Sequence, residues 1–272
     1  MRSISRLTFY IFSPCLVFAA VAHTELSGAE VGQVGLGALV VTGSSALLAW
    51  LAGRALRVSR PMLAALVVAA AFGNAGNYGL AINRFAFGDE AVARAVIYFT
   101  FSTLAVYTLG VTVASLGRRS WRQVLVQALK LPTTYGLVVA GIFRFSGWPV
   151  PAPIDRSVTL LGQGAIPVML VILGLQMASV KSWPRAHLAL VGVATFIQLV
   201  AAPLVGLGLA TAMDLQGPTR QAMVLESAMP AAVITTILAS EFELDTALVT
   251  GTVMVSTLLS PLTLTPLIAY LQ

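Results

Sequence analysis

Residues 72–80 read Phe-Gly-Asn-Ala-Gly-Asn-Tyr-Gly-Leu. Three glycines at a spacing of three and two asparagines stand in the middle of a long apolar run. Glycine in a helix interior costs about 1 kcal/mol relative to alanine. Inside a membrane, irregular backbone persists only where protein buries it or where it lines a cavity. One role for the segment is a broken helix that offers amides and free backbone groups to a ligand. The other is a small-residue face for close helix packing, with Asn as interhelical glue; packing alone does not need both asparagines. A second cluster reads Glu226-Ser227-Ala228-Met229-Pro230. Pro230 removes one backbone hydrogen bond and frees the carbonyl a turn earlier. Glu226 lies ~12 Å into its apolar run, counted from Pro218 at ~1.5 Å per residue. An intramembrane carboxylate costs roughly 2.5–3.5 kcal/mol on insertion scales, so it faces a cavity or a partner. A coupling or gating residue, including a proton site, is one role for Glu226; a structural pair with Lys130 or a backbone group is the other. Lys130 itself either snorkels to the inner face or meets substrate.

Weaker polar signals sit elsewhere in the apolar runs. Gln163 and Gln176 need partners in lipid, and Pro167 is expected to kink its helix. Gln163, Ser102 and Ser256 are the secondary cavity candidates, although packing and backbone bonding are the ordinary uses of such hydroxyls. Arg94 follows Glu90 at i+4, the spacing of a helical ion pair. Cys15 is the single cysteine, so neither an intrachain disulfide nor a cysteine cluster for zinc can form. His23 and His187 lie near ends of apolar runs, where an interfacial or structural role is ordinary. No phosphate-binding loop, HExxH motif or Ser/His/Asp set is present. No catalytic residue, resident cofactor or metal site is therefore expected.

The elements that must position these residues are membrane helices. Of 272 residues only 10% are charged and 58% are hydrophobic, and the mean hydropathy is +0.90. An ordinary soluble domain carries ~25% charged residues. A disordered chain is excluded, and the long unbroken runs disfavour an outer-membrane barrel of short alternating strands. Apolar runs cut at charges and turn residues give nine spans, at about 4–23, 33–53, 61–82, 91–115, 124–143, 157–178, 186–213, 218–240 and 246–271. No linker divides them, so the chain reads as a single integral, all-α, polytopic membrane domain.

Loop charges orient it. With the N-terminus inside, the inner segments hold ten Lys/Arg (Arg2, Arg6, Arg54, Arg57, Arg60, Arg118, Arg119, Arg122, Lys181, Arg185) and the outer ones four (Arg84, Arg144, Arg156, Arg220). The net charge of +6 thus follows from topology rather than nucleic-acid binding, and the C-terminus is predicted outside.

A repeat is also visible. Ser102-Thr103-Leu104 recurs as Ser256-Thr257-Leu258 at an offset of 154, and Pro14 recurs as Pro167 at 153. Asn77 lies 153 before Pro230, breaker for breaker. The offset spans five helices, an odd number, so the copies insert in opposite orientations, the inverted repeat of secondary transporters. Residues 1–116 would form the first repeat with four helices, and 124–272 the second with five. Nine spans of an expected ten are then present; a truncated or misassigned start, or a nine-helix variant, accounts for the difference.

The chain resembles the auxin efflux carrier family of membrane transporters. The resemblance rests on Phe72–Leu80 followed by Phe87-Gly88, on Leu131-Pro132, on Gly164-Ala165-Ile166-Pro167 with Leu173-Gly174-Leu175, and on Ala228-Met229-Pro230 with Leu238-Ala239 and Ser256-Thr257-Leu258. It implies ten helices in two inverted five-helix repeats, with two broken helices crossing at mid-membrane beside the substrate site. Here those are the third and eighth spans, and the first family helix is the one absent. Asn74, Asn77, Tyr78 and Gly79 would form one arm of the crossover; Ser227, Met229 and Pro230 would form the other. Ala81 stands where family members often have Pro, so the first arm relies on its glycines to break.

Together these features predict a permease rather than an enzyme: a secondary transporter moving a small organic anion across the cytoplasmic membrane by alternating access. The membrane potential, H+ through Glu226, and Na+ are all open as the driving force. Membrane lipid and the anion are the expected partners, nucleic acid is not, and a homodimer stays open. A carrier like the sodium-coupled bile-acid symporters and a non-transporting receptor are the alternatives.

Overall fold

The structure is a computed structural model that describes residues 2–24, 26–115, 122, 126, 129–178 and 187–272. Among the described residues every regular element is helical. In chain order they are α1 (Ser3–His23), α2 (Gly28–Ala55), α3 (Arg60–Ala71), α4 (75–87), α5 (Asp89–Ala114), α6 (Pro132–Ser146), α7 (Ala152–Ala178), α8 (Leu188–Ala212), α9 (Gly217–Ser227), α10 (Ile234–Glu241) and α11 (Thr246–Leu271). Six of them (α1, α2, α5, α7, α8 and α11) are long and apolar enough to cross a membrane by length and composition. The third expected span is split into α3 and α4, and the eighth into α9 and α10.

The helix ends follow from local chemistry. A capping box starts α2: Ser27 Oγ accepts from Glu30 N at 3.1 Å, while Ser27 N donates to Glu30 Oε2 at 2.9 Å. This carries α2 five residues ahead of the apolar run expected from 33. Asp245 caps α11 through Leu248 N at 2.8 Å. Pro61, Pro132 and Pro218 each stand in the first turn of a helix, where the missing N–H costs nothing. The helices α7 and α11 run on through Pro167 and through Pro261 and Pro266.

The fifth span differs from expectation. Its described helix is Pro132–Ser146, not 124–143, and Leu131 before it is extended at φ −74°, ψ 117°. Proline disfavours the helical region for its predecessor and is well placed at the first position of a helix, where Pro132 stands. Lys130, expected inside a helix, is therefore an exposed turn residue ahead of α6. The expected boundary between repeats, 116–124, lies outside the described residues except for Arg122.

Packing relies on close approach rather than on bulk. Lipid tails are as apolar as leucine, so small residues and contact area hold membrane helices together. A Cβ on Gly136 would meet the Pro14 carbonyl at 2.6 Å, and one on Gly162 the Leu16 Cα at 3.1 Å, so α6 and α7 both lie against α1. Residues 64–71 of α3 are all buried, mostly alanine, and pack against α2, α8 and α11. At one end α2, α5 and α9 are tied by polar bonds. Arg94 Nη2 donates to Glu30 Oε1 at 3.1 Å, and Thr219 Oγ1 donates to the same oxygen at 2.7 Å.

Candidate functional site

The two interruptions meet. Asn74 N donates to the Pro230 carbonyl at 2.7 Å, and Ala232 N to the Phe72 carbonyl at 2.8 Å. Gly73 and Ala231 thereby form an antiparallel bridge between two stretches of unwound chain. The approach is close: a Cβ on Gly73 would stand 3.2 Å from the Met229 carbonyl oxygen, so any side chain there would push the two strands apart by a few tenths of an ångström. Each break leaves backbone groups without helical partners, and neighbours supply them. Ser256 Oγ accepts from Ala231 N at 3.1 Å, and buried Gln198 donates to the Ala69 carbonyl at 3.5 Å.

Beside this crossing lies a cavity of about 400 Å³. Its walls come from the first half of α1 (Arg6, Phe9, Tyr10), the break at Asn74 with the first turn of α4 (Gly76, Asn77), the second half of α5 (Ser102, Thr103, Tyr107), α7 (Met169, Ile172) and the start of α10 (Ile234, Ile237). Three π-helical segments contribute to it: Thr8–Phe12, Ala75–Gly79 and Val106–Gly110. Such wide turns recur at functional sites because they re-aim side chains.

Partial positive charge gathers at the cavity. The N-terminal turns of both α4 and α10 line it. The amides of Tyr78 and Gly79 are already spent on the Asn74 carbonyl. Those of Gly76 and Asn77 belong to the turn whose donors a helix cannot satisfy internally. Two helix N-termini present partial positive charge to one space. The Asn74 Nδ2, in a side chain 5% exposed, has no hydrogen-bond partner. Arg6 is the one charged side chain among the described lining residues.

The expected site residues divide. Asn74, Asn77 and Ser102 line the cavity. Tyr78 turns away, its hydroxyl 3.2 Å from Ser260 Oγ on α11. Gly79 faces Glu226, whose carboxylate a Cβ there would overlap. Ser227 is buried and donates to the Val224 carbonyl at 2.6 Å, and Met229 is fully buried. Pro230 contributes its carbonyl to the crossing. Ser256 supports the crossing from behind rather than lining the cavity. Gln163 is exposed on α7. Glu226 is buried, accepts from Asn83 Nδ2 at 2.8 Å and does not line the cavity. A pair with Lys130 does not form, because one side chain is buried and the other exposed on a turn. Arg94 bonds the Glu90 carbonyl and the Glu30 carboxylate; the Glu90 side chain is not the partner its spacing suggested.

Arg6 and Asn83 were not singled out as site residues by sequence. Arg6 counts there as one more inner-face charge, yet it stands inside the first apolar run. Asn83 falls one residue beyond the third run's expected end.

The sequence model of a family described as membrane transport protein matches residues 1–120 and 112–268. The chain belongs to this family, that of the auxin efflux carriers. Relatives of the family agree. An uncharacterized transporter of Methanothermobacter thermautotrophicus is 26% identical over 260 residues, covering 95% of this chain and 85% of that protein. One from Methanocaldococcus jannaschii is 23% identical over 269 residues, 95% of this chain and 86% of that protein. Auxin efflux carrier component 8 of Arabidopsis thaliana is 25% identical over 147 residues, 54% of this chain and 40% of that protein. As a member of the auxin efflux carrier family, the chain is a multi-pass membrane transport protein and not an enzyme.

Proposed function

We propose that the chain is a secondary transporter that moves a small organic anion, such as a carboxylate, across the cytoplasmic membrane by alternating access. One observation carries this: two interrupted helices bring their half-helix N-termini and one arginine around a single cavity of about 400 Å³. A carboxylate placed there would accept from the Gly76 and Asn77 amides in the first turn of α4 and from Arg6, with the partial positive charge of both helix ends behind them. Phe9, Tyr107, Ile172 and Ile237 would hold its apolar body. Mostly apolar walls with a few convergent polar groups are the usual anatomy of a small-molecule site.

The cavity draws on the early residues of α1 and the late residues of α5. Loop charges assign that end of the bundle to the inside, so this arrangement corresponds to the inward-facing state. Movement would shift the crossing helices against α1, α6 and α7, which the glycine contacts bind to one another. The inverted repeats, 1–116 and 124–272, belong to this proposal: a break in each repeat gives two crossing arms of opposite orientation.

The test is uptake by proteoliposomes of a labelled panel: malate, malonate, lactate, indole-3-acetate and taurocholate, under imposed proton, sodium or potential gradients. The expected result is saturable uptake of a carboxylate, released unchanged, and lost in Asn77→Ala. Saturable binding without flux would instead mark a receptor and refute transport.

A further inference from the structure

Glu226 and Asn83 touch each other at 0–1% exposure, and neither lines the cavity. Asn83 spends its two amide hydrogens on Glu226 Oε1 at 2.8 Å and on the Gly79 carbonyl at 3.0 Å. Two buried oxygens remain without a hydrogen-bond partner: Glu226 Oε2 and Asn83 Oδ1. A buried acceptor left bare costs about 1–3 kcal/mol, more when it is charged. Such a pair calls for something positive.

The backbone adds to the same demand. Glu226 is the penultimate residue of α9, at the end where the aligned peptide dipoles give a helix partial negative charge. Carboxylate and helix end therefore have the same sign at one point. No basic side chain among the described residues bonds Oε2. The carboxylate packs directly against Gly79, where a Cβ would overlap it. One carboxylate balances one positive charge; a divalent ion would leave an excess charge buried, at high cost.

We propose that Glu226 Oε2 and Asn83 Oδ1 are two ligands of a binding site for a monovalent metal cation of about the size of sodium. Oxygen ligands suit such a hard ion. The site is separate from the substrate cavity and joins α4 to α9, the half-helices on either side of the crossing. Occupancy would hold Asn83 against Glu226 and so fix the spacing of the two arms.

The experiment measures ion binding, so its outcome is independent of whether any anion is transported. Purified protein in sodium-free nanodiscs is titrated with sodium, potassium or choline chloride at acidic and at neutral pH. Thermal unfolding and labelled-sodium binding are followed. The expected result is a saturable, sodium-selective rise in Tm that choline does not reproduce. It disappears in Glu226→Gln, weakens by about ten-fold or more in Asn83→Ala, and persists in Asn74→Ala. Asn83→Asp keeps an oxygen at the site and retains cation binding, which covers the case that Asn83→Ala fails to fold. Equal effects of sodium and choline, an unchanged sodium effect in Glu226→Gln, or stabilisation that follows pH alone would each overturn the proposal; the last would make Glu226 a proton site.

Discussion

Ser256→Ala removes one oxygen from the back of the crossing and nothing from the cavity wall. Ser256 is fully buried on α11. Its Oγ accepts from Ala231 N at 3.1 Å and donates to the Val253 carbonyl at 3.3 Å. The second bond is local to the helix and dispensable. The first satisfies an N–H that the break in the eighth span leaves without a helical partner, while the flanking Ala232 N already donates to Phe72. Alanine fills nearly the same volume, so the cavity term is small. The loss is that of a buried donor stripped of its acceptor, about 1–3 kcal/mol. For a chain of this size each kcal/mol moves Tm by roughly 2–4 °C, so Tm should fall by roughly 2–12 °C. Thermal unfolding in nanodiscs would measure this beside Ser102→Ala. Ser102 lines the cavity and makes no side-chain hydrogen bond to the crossing, so its change should be smaller. A Ser256→Ala protein as stable as wild type, or no less stable than Ser102→Ala, would refute the claim that this hydroxyl completes the crossing's backbone accounting.

Arg6→Gln should raise the half-saturation concentration for anion uptake roughly ten- to hundred-fold, the worth of one charge-assisted hydrogen bond; unchanged uptake kinetics would remove Arg6 from the site. Tyr78→Phe should cost about 0.5–1.5 kcal/mol of stability for its bond to Ser260 and leave uptake near wild type, because its hydroxyl points away from the cavity; a large uptake defect at unchanged stability would contradict that orientation. Arg94→Met should lower stability by about 1–3 kcal/mol, since it strips a mostly buried carboxylate of its charged partner, as read by unfolding in nanodiscs. An effect below about 0.5 kcal/mol would reduce the Glu30–Arg94–Thr219 cluster to an ordinary surface contact.

Much of the architecture was legible because its signals are local. An apolar run long enough to cross a bilayer announces itself in composition, and the runs expected at 4–23, 91–115 and 246–271 coincide with helices to within a residue or two. The breaks were legible for the same reason: Gly73, Gly76, Gly79 and Pro230 impair the helix they stand in, whatever surrounds them. Lys130 shows the cost of cutting at charges alone. Pro132 two residues later was the stronger stop signal, and it placed Lys130 outside the helix.

By itself the chain's sequence determined that it is a helical membrane protein, where its interrupted segments lie, and, through ordered motifs along its whole length, its family. These rest on composition, backbone preference and spacing, none of which needs a distant partner. Tertiary structure alone decided which side of each break faces the cavity. The wide π turn at Ala75–Gly79 lets Asn74 and Asn77 line the cavity while Tyr78 and Gly79 turn toward α11 and α9. It alone placed Arg6 in the cavity wall and set Asn83 against Glu226, 143 residues away. Periodicity reports which residues share a face of one helix. Which other helix that face meets is settled by packing of the whole bundle, where close contacts at glycines leave few arrangements.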